Sequence, residues 1–182
     1  MRITIERSLD PGAVDAFYRL YRAAFAPLRT NAAARHLLSA EEFAAEMADK
    51  RIEKYVAWAG NGEPVGLATL TADLSAVPWI SPEYYGARYP DHLARGALFY
   101  LGYTLVRPDH EQRGVFARLA ARIVRRLNEA RAVCAFDVCG HNDDVHQIGR
   151  SIGALSRSLD MRVDTVDVQT YYTAVFNGPR AA

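Results

Sequence analysis

The stretch from Ala97 to Leu119 constrains this chain more than any other. An apolar run, Ala97 to Val106, is stopped by Pro108, and a short turn carrying Gly114 follows. Phe116, Leu119, Ile123 and Leu127 then recur at helical spacing over residues 114–130, and a second apolar run spans Val133 to Cys139. Strand, helix and strand in this order make a crossover, the mark of a mixed α/β domain. The first amides of the helix have no partners inside it and lie at the positive end of its dipole. Such an end takes anions, phosphate above all. Arg113 adds a mobile charge there, and Gly114 lets the backbone approach an oxygen closely. Neither GxxxxGK[ST] nor GxGxxG is present, so this is no Walker loop and no dinucleotide fingerprint.

The flanking sequence agrees with an α/β domain. Arg2 to Glu6 alternates as a short strand, and Asp10-Pro11 starts a helix with Val14, Phe17, Tyr21, Phe25 and Leu28 on one face. Ser39-Ala-Glu-Glu42 is a capping-box pattern for a second helix holding Phe43 and Met47. Tyr55–Ala59 and Pro64–Thr71 predict two strands joined by a Gly60-Asn61-Gly62 turn. Residues 73–96 show no period and read as a structureless stretch rich in proline and aromatics. Such a stretch serves either function or packing and dimer contact, so a homodimer stays open. Asn142 predicts the cap of a helix bearing Val145, Ile148, Ile152, Leu155 and Leu159, and Met161–Phe176 predicts one bent strand or two strands.

At 182 residues the chain makes about one domain. A net charge of +1 supplies no field for nucleic acid or membrane. The arginines at 118, 122, 125 and 126 read as a solvated helix face. No apolar run approaches the roughly 20 residues that span a bilayer, and MRITIERSLD has no signal core. A cytoplasmic, soluble protein is the expectation. Cys134 and Cys139 are five apart with no Cys/His cluster, which predicts no metal site.

Val106, Pro108, Glu111, Gly114, Phe116 and Leu119 fall in the places of V-x-P-x-x-[RQ]-x-x-G-x-[GA]-x-x-L. In this the chain resembles the GNAT superfamily of acyl-coenzyme A N-acyltransferases. Glu111 departs from the Arg or Gln, and Phe116 from the second small residue. Gly66 in Pro-Val-Gly-Leu-Ala and the Asp137-Val-Cys-Gly-His-Asn142 pattern resemble the family's third and fifth strands. The resemblance implies one GNAT-like domain over residues 2–176 with a tail at 177–182. It implies a mixed α/β fold whose central sheet is flanked by helices and splays between strands four and five, after Thr104. The co-substrate implied is acetyl-CoA, with no metal. Its pantetheine arm would meet Thr104, Leu105 and Val106. Its pyrophosphate would meet the backbone of Glu111, Gln112, Arg113, Gly114, Val115, Phe116 and Ala117, and Asn142 would also touch it. The activity implied is acetyl transfer to the amine of a small molecule or peptide by direct attack. The competing reading is a degenerate module that binds or senses acyl-CoA without turnover.

The family's usual acid is a tyrosine seven residues after the fifth-strand asparagine, and Gly149 stands there. Tyr103 occupies the place of a frequent family glutamate and reads as a catalytic residue or a pocket wall. Asp137 interrupts an apolar run and is the base candidate, on the expectation that it is buried with a raised pKa. Trp79, Tyr84 and Tyr85 are the candidate acceptor-binding residues.

Overall fold

The computed structural model describes residues 1–33, 37–146 and 161–175, without the side chains of residues 111, 112, 145 and 146. The chain divides into two compact units, Met1–Pro27 with His36–Asp137, and Leu28–Arg35 with Val138–Ala182. The order of elements begins β1 (Arg2–Glu6), α1 (Pro11–Phe25), α2 (Leu28–Asn31), α3 (Ala40–Ala48), β2 (Ile52–Trp58) and β3 (Pro64–Thr71). It continues with α4 (Pro82–Arg88), α5 (Pro90–Ala94), β4 (Leu98–Val106), α6 (Val115–Glu129), β5 (Val133–Ala135) and α7 (Gly140–His146).

The first unit holds one sheet in the order β1-β2-β3-β4-β5. The first four strands are antiparallel neighbours, and β5 joins β4 in parallel through the α6 crossover. The helix starts follow their sequence signals. The Asp10 carboxylate accepts from Ala13 N–H at 3.0 Å, and Ser39 and Glu42 form a reciprocal capping box. Phe17, Tyr21, Phe43 and Met47 pack α1 and α3 onto one face of the sheet against Val56, Leu67 and Leu105. Val115, Leu119 and Ile123 pack α6 onto the other. Gly66 sets how closely α6 can approach. A Cβ there would lie 2.7 Å from Val115 Cγ1 and 3.0 Å from Leu119 Cδ1.

Four expectations change. Residues 73–96 are not structureless. They hold a 3-10 turn at Leu74–Ala76 and then α4 and α5, each opened by a proline in its first turn. The Ser81 hydroxyl accepts from Tyr84 N–H at 3.2 Å, so the prolines that break a longer period are the starts of two short helices. The strand expected at Val133–Cys139 ends at Ala135, and Phe136 and Val138 are exposed. In the second unit α7 begins at Gly140, so Asn142 lies within its first turn and is not its cap. Its expected continuation through Ile148, Ile152, Leu155 and Leu159 lies outside the described residues, as does Gly149. Residues 161–175 form no strand. A strand needs a ladder, and here Val168, Tyr172 and Val175 face solvent at 76%, 89% and 83% exposure. Their β propensity therefore has no packed face to act on.

Candidate active site

The site is built on β4, whose pairing with β5 is short. Leu98, Phe99 and Tyr100 pair with Val133, Cys134 and Ala135, and there the parallel ladder stops. On the opposite edge β4 stays paired with β3 as far as Gly66↔Val106. The two strands thus part after Tyr100, earlier than the expected Thr104. Arg107 N–H bonds to Val65 O at 3.0 Å. Successive residues alternate, so Thr104 and Val106 turn their N–H groups to the open edge. Among the described residues no strand covers them.

The open edge runs directly into the turn at the start of α6. Pro108–Arg113 winds as a 3-10 helix, and Gly114 ends it with φ +69°, in the left-handed region. Only glycine adopts this readily. A Cβ at Gly114 would meet no atom of the described residues within 4 Å, so among them the space over this turn is open. Among the described residues no side chain caps α6, which leaves its first amides to another partner. Val115 is buried in the core while Phe116 is 54% exposed. Glu111 and Gln112 lie in the 3-10 turn. Arg107 is held by Glu63 and Asp109, at 3.0 and 2.7 Å, and the guanidinium keeps Asp109 down at about 2. Arg113, Arg118 and His110 instead line a cavity of about 230 Å³ beside Gly60 and Val65.

At the other end of the open edge, Tyr100 is the hub of a network. Its hydroxyl donates to Asp137 Oδ1 and accepts from Trp79 Nε1–H at 3.0 Å. Burial and the neighbouring carboxylate push the Tyr100 phenol well above its ordinary range, so it stays protonated. Asp137 itself is exposed and lies two residues past the end of β5. The expectation of a buried carboxylate inside a strand is thereby corrected, because β5 ends before reaching it. Of the aromatic candidates, Trp79 is hydrogen-bonded into this network, and Tyr85 packs against the cluster that holds Tyr100. Tyr84 and Tyr85 meet edge to face on α4, with ring centroids 5.4 Å apart.

Tyr103 lies on the α1–α3 face, ringed by Tyr21, Phe25 and Phe43. The β3–β4 register shifts between Ala68 and Leu70. This bulge places Tyr103 on the same face as Tyr100 despite the odd spacing. The Tyr103 hydroxyl is buried; it makes no hydrogen bond of ordinary geometry among the described residues, and the Glu46 carboxyl is a polar group that acts on it.

The residue that sequence reasoning missed is Glu46, on α3. With Thr69, Trp79, Tyr100 and Gly102 it lines a narrow crevice against β4. Burial pushes its carboxyl up to about 7, helped by Asp49 and restrained by the Tyr103 hydroxyl and the Lys54 ammonium. Lys54 is fully buried, its Nζ donating to Arg7 O at 3.2 Å and Asp49 O at 2.5 Å, and burial brings it down to about 8. The one available signal was Glu46 beside Met47 and three places after Phe43, at the edge of the helix's apolar face.

No family model and no curated protein matches the chain. Solved structures do. An aminoglycoside acetyltransferase from an uncultured soil metagenomic sample, solved with sisomicin, superposes with a TM-score of 0.51 at 16% identity, covering 95% of this chain and 97% of that one. A possible acetyltransferase from Clostridium difficile 630 gives a TM-score of 0.56 at 14% identity, covering 96% of this chain and 100% of that one. The chain has the fold of the GNAT-type acetyltransferases. A ribosomal-protein-alanine N-acetyltransferase from Brucella melitensis biovar Abortus 2308 shares it, with a TM-score of 0.52 at 15% identity, covering 96% of this chain and all of that one (100%). In this GNAT fold the mixed sheet, the parallel β4–β5 pair and the flanking helices are those expected from the resemblance.

Proposed function

We propose that the protein is an N-acetyltransferase that moves an acetyl group from acetyl-CoA to the amine of a small molecule or peptide. The observation that carries this reading is the continuity of the open β4 edge with the left-handed turn at Gly114 and the uncapped start of α6. An extended, amide-rich arm such as pantetheine fits an edge that offers backbone groups at Thr104 and Val106, whereas Leu105, expected to join them, turns its backbone groups to β3. A pyrophosphate fits the amides from Arg113 to Ala117, with Arg113 as mobile countercharge. The open space over Gly114 is where it would lie. That structures of this fold carry acetyltransferase names supports the same reading.

At the thioester, the strand amide of Val106 would donate to the developing oxyanion. The amine attacks directly in a ternary complex, with Trp79, Tyr84 and Tyr85 facing the acceptor. Exposed and held by Tyr100, Asp137 suits the attraction of a cationic acceptor. Tyr103 stands buried among the aromatic rings of α1 and α3, beside Glu46.

Acetyl-CoA at 100 times its Kd should stabilise the protein by about 2.7 kcal/mol, a melting shift of several degrees. NADH and ATP should do much less. Gly114→Asp should abolish the shift and any transfer, because a carboxylate there repels pyrophosphate. Asp tolerates the left-handed region better than most residues, so the fold should survive. A full acetyl-CoA shift in Gly114→Asp would remove the anion site from this turn.

A further inference from the structure

The face of the sheet under α3 buries a titratable cluster that binding at the open edge does not use. Glu46 lines the crevice that reaches Thr69, Tyr100 and Gly102. Gly102 belongs to the β4 bulge, and a Cβ on it would lie 2.5 Å from Thr69 Oγ1. The crevice therefore meets β4 at the stretch where pairing with β5 has just ended. Beside it stands the buried Tyr103 hydroxyl, which bears on the Glu46 carboxyl.

Resting on the acetyltransferase reading, we propose that Glu46 is the base that takes the proton of the acceptor's ammonium group. Tyr103 is a positioning residue that acts through the Glu46 carboxyl. Three observations converge. The carboxyl lines the narrow crevice that Trp79, Tyr100 and Gly102 also line, and that crevice meets β4 where its pairing with β5 has ended. Its neighbours bias it in opposite senses: Asp49 at the end of α3 disfavours its charge, while Lys54 on β2 and Tyr103 on β4 favour it. Arg7 faces Lys54 in turn, and Tyr21 on α1 packs on Tyr103. The result is a carboxyl poised at about 7, where a base is half available near neutral pH. Asp137, the other carboxylate near the crevice, is exposed and engaged by Tyr100.

The step balances as follows. The acceptor R–NH3+ gives one proton to Glu46. The freed lone pair attacks the thioester carbon, the C–N bond forms, and the carbonyl electrons move onto oxygen. Collapse breaks the C–S bond, and the second nitrogen proton leaves with the thiolate as CoA–SH. Glu46 then returns its proton to solvent, so ammonium and acetyl-CoA yield amide, CoA–SH and one proton.

The test uses the full chain, saturating acetyl-CoA and a panel of spermidine, tyramine and a short peptide with a free N-terminus. For the best acceptor, kcat should rise with pH through a midpoint near 7. Glu46→Gln should lower kcat by about 10²–10⁴-fold, remove that midpoint and keep the acetyl-CoA melting shift. Glu46→Asp should recover part of the rate. Tyr103→Phe should move the midpoint upward, because the hydroxyl that favours the charged carboxyl is gone, an effect that simple packing loss would not give. A near-normal kcat in Glu46→Gln, an unchanged midpoint, or loss of the acetyl-CoA shift in that variant overturns the assignment of the base alone. A wild-type protein that acetyl-CoA does not stabilise, or that acetylates none of the panel, overturns the acetyltransferase reading and this one with it.

Discussion

The two edges of β4 differ although one sequence makes both. Toward β3 the strand is paired from Tyr100 to Val106. Toward β5 it is paired from Leu98 to Tyr100 only. The residues before and after Tyr100 belong to one continuous strand. The difference is made by the neighbour. β3 continues to run alongside β4, whereas β5 ends at Ala135 and leaves Phe136 and Val138 to solvent. The lesson is that a ladder's end is a property of two strands. An edge left open inside a well-packed sheet keeps its shape and still offers backbone groups to a ligand.

Hydrogen exchange should show this contrast most strongly. The amides of Leu105 and Arg107, directed at β3, should exchange at least about a thousandfold more slowly than those of Thr104 and Val106. Saturating acetyl-CoA should slow the open pair specifically. Equal protection of all four without ligand would mean that the open edge is covered.

The closed edge can be attacked at its bulge. Gly102→Ala puts a Cβ 2.5 Å from Thr69 Oγ1, and should cost about 1–3 kcal/mol in urea unfolding. The double variant Gly102→Ala/Thr69→Ala should recover much of that loss, since it removes the clashing hydroxyl. Additive losses would show that the bulge itself, and not this contact, is what fails.

Glu46 separates the two sides by pH. Its carboxyl is held above the ordinary 4.5, at about 7. The folded state therefore binds more protons than the unfolded chain between these values. Stability should fall as pH rises through that window, and the loss should be complete above it. Glu46→Gln carries no charge to bury and should be the more stable protein at pH 8, by about 1–2 kcal/mol, with little difference at pH 4. Melting curves across this range check the sign. A variant less stable than wild type at pH 8 would place a favourable ion pair where we see a costly burial.

The smallest effect is expected at the junction. Tyr100→Phe removes the hydrogen bonds to Asp137 and from Trp79. It should cost about 0.5–1.5 kcal/mol, because both former partners can turn to water. The indole of Trp79 should gain mobility, visible as a change in its fluorescence quenching. An unchanged Trp79 would show that packing on the Tyr100 ring, and not the hydrogen bond, holds it.

What could be read from the sequence was local. Asp10 and Pro11, the Ser39–Glu42 box, the Gly60–Gly62 turn and the strand–glycine–helix passage at 98–129 are each decided by neighbours a few residues apart. Gly114 belongs with them, because a turn from strand into helix needs the left-handed residue that the chain supplies. Tertiary structure alone decided the rest. The parting of the strands after Tyr100 depends on where β5 stops, and the exposure of Asp137 follows from the same end. Glu46, Lys54 and Tyr103 come from α3, β2 and β4, and only packing brings their charges within range of one another. A pKa is set by what surrounds a group, and for a carboxyl on a helix edge those surroundings are residues far away in the chain.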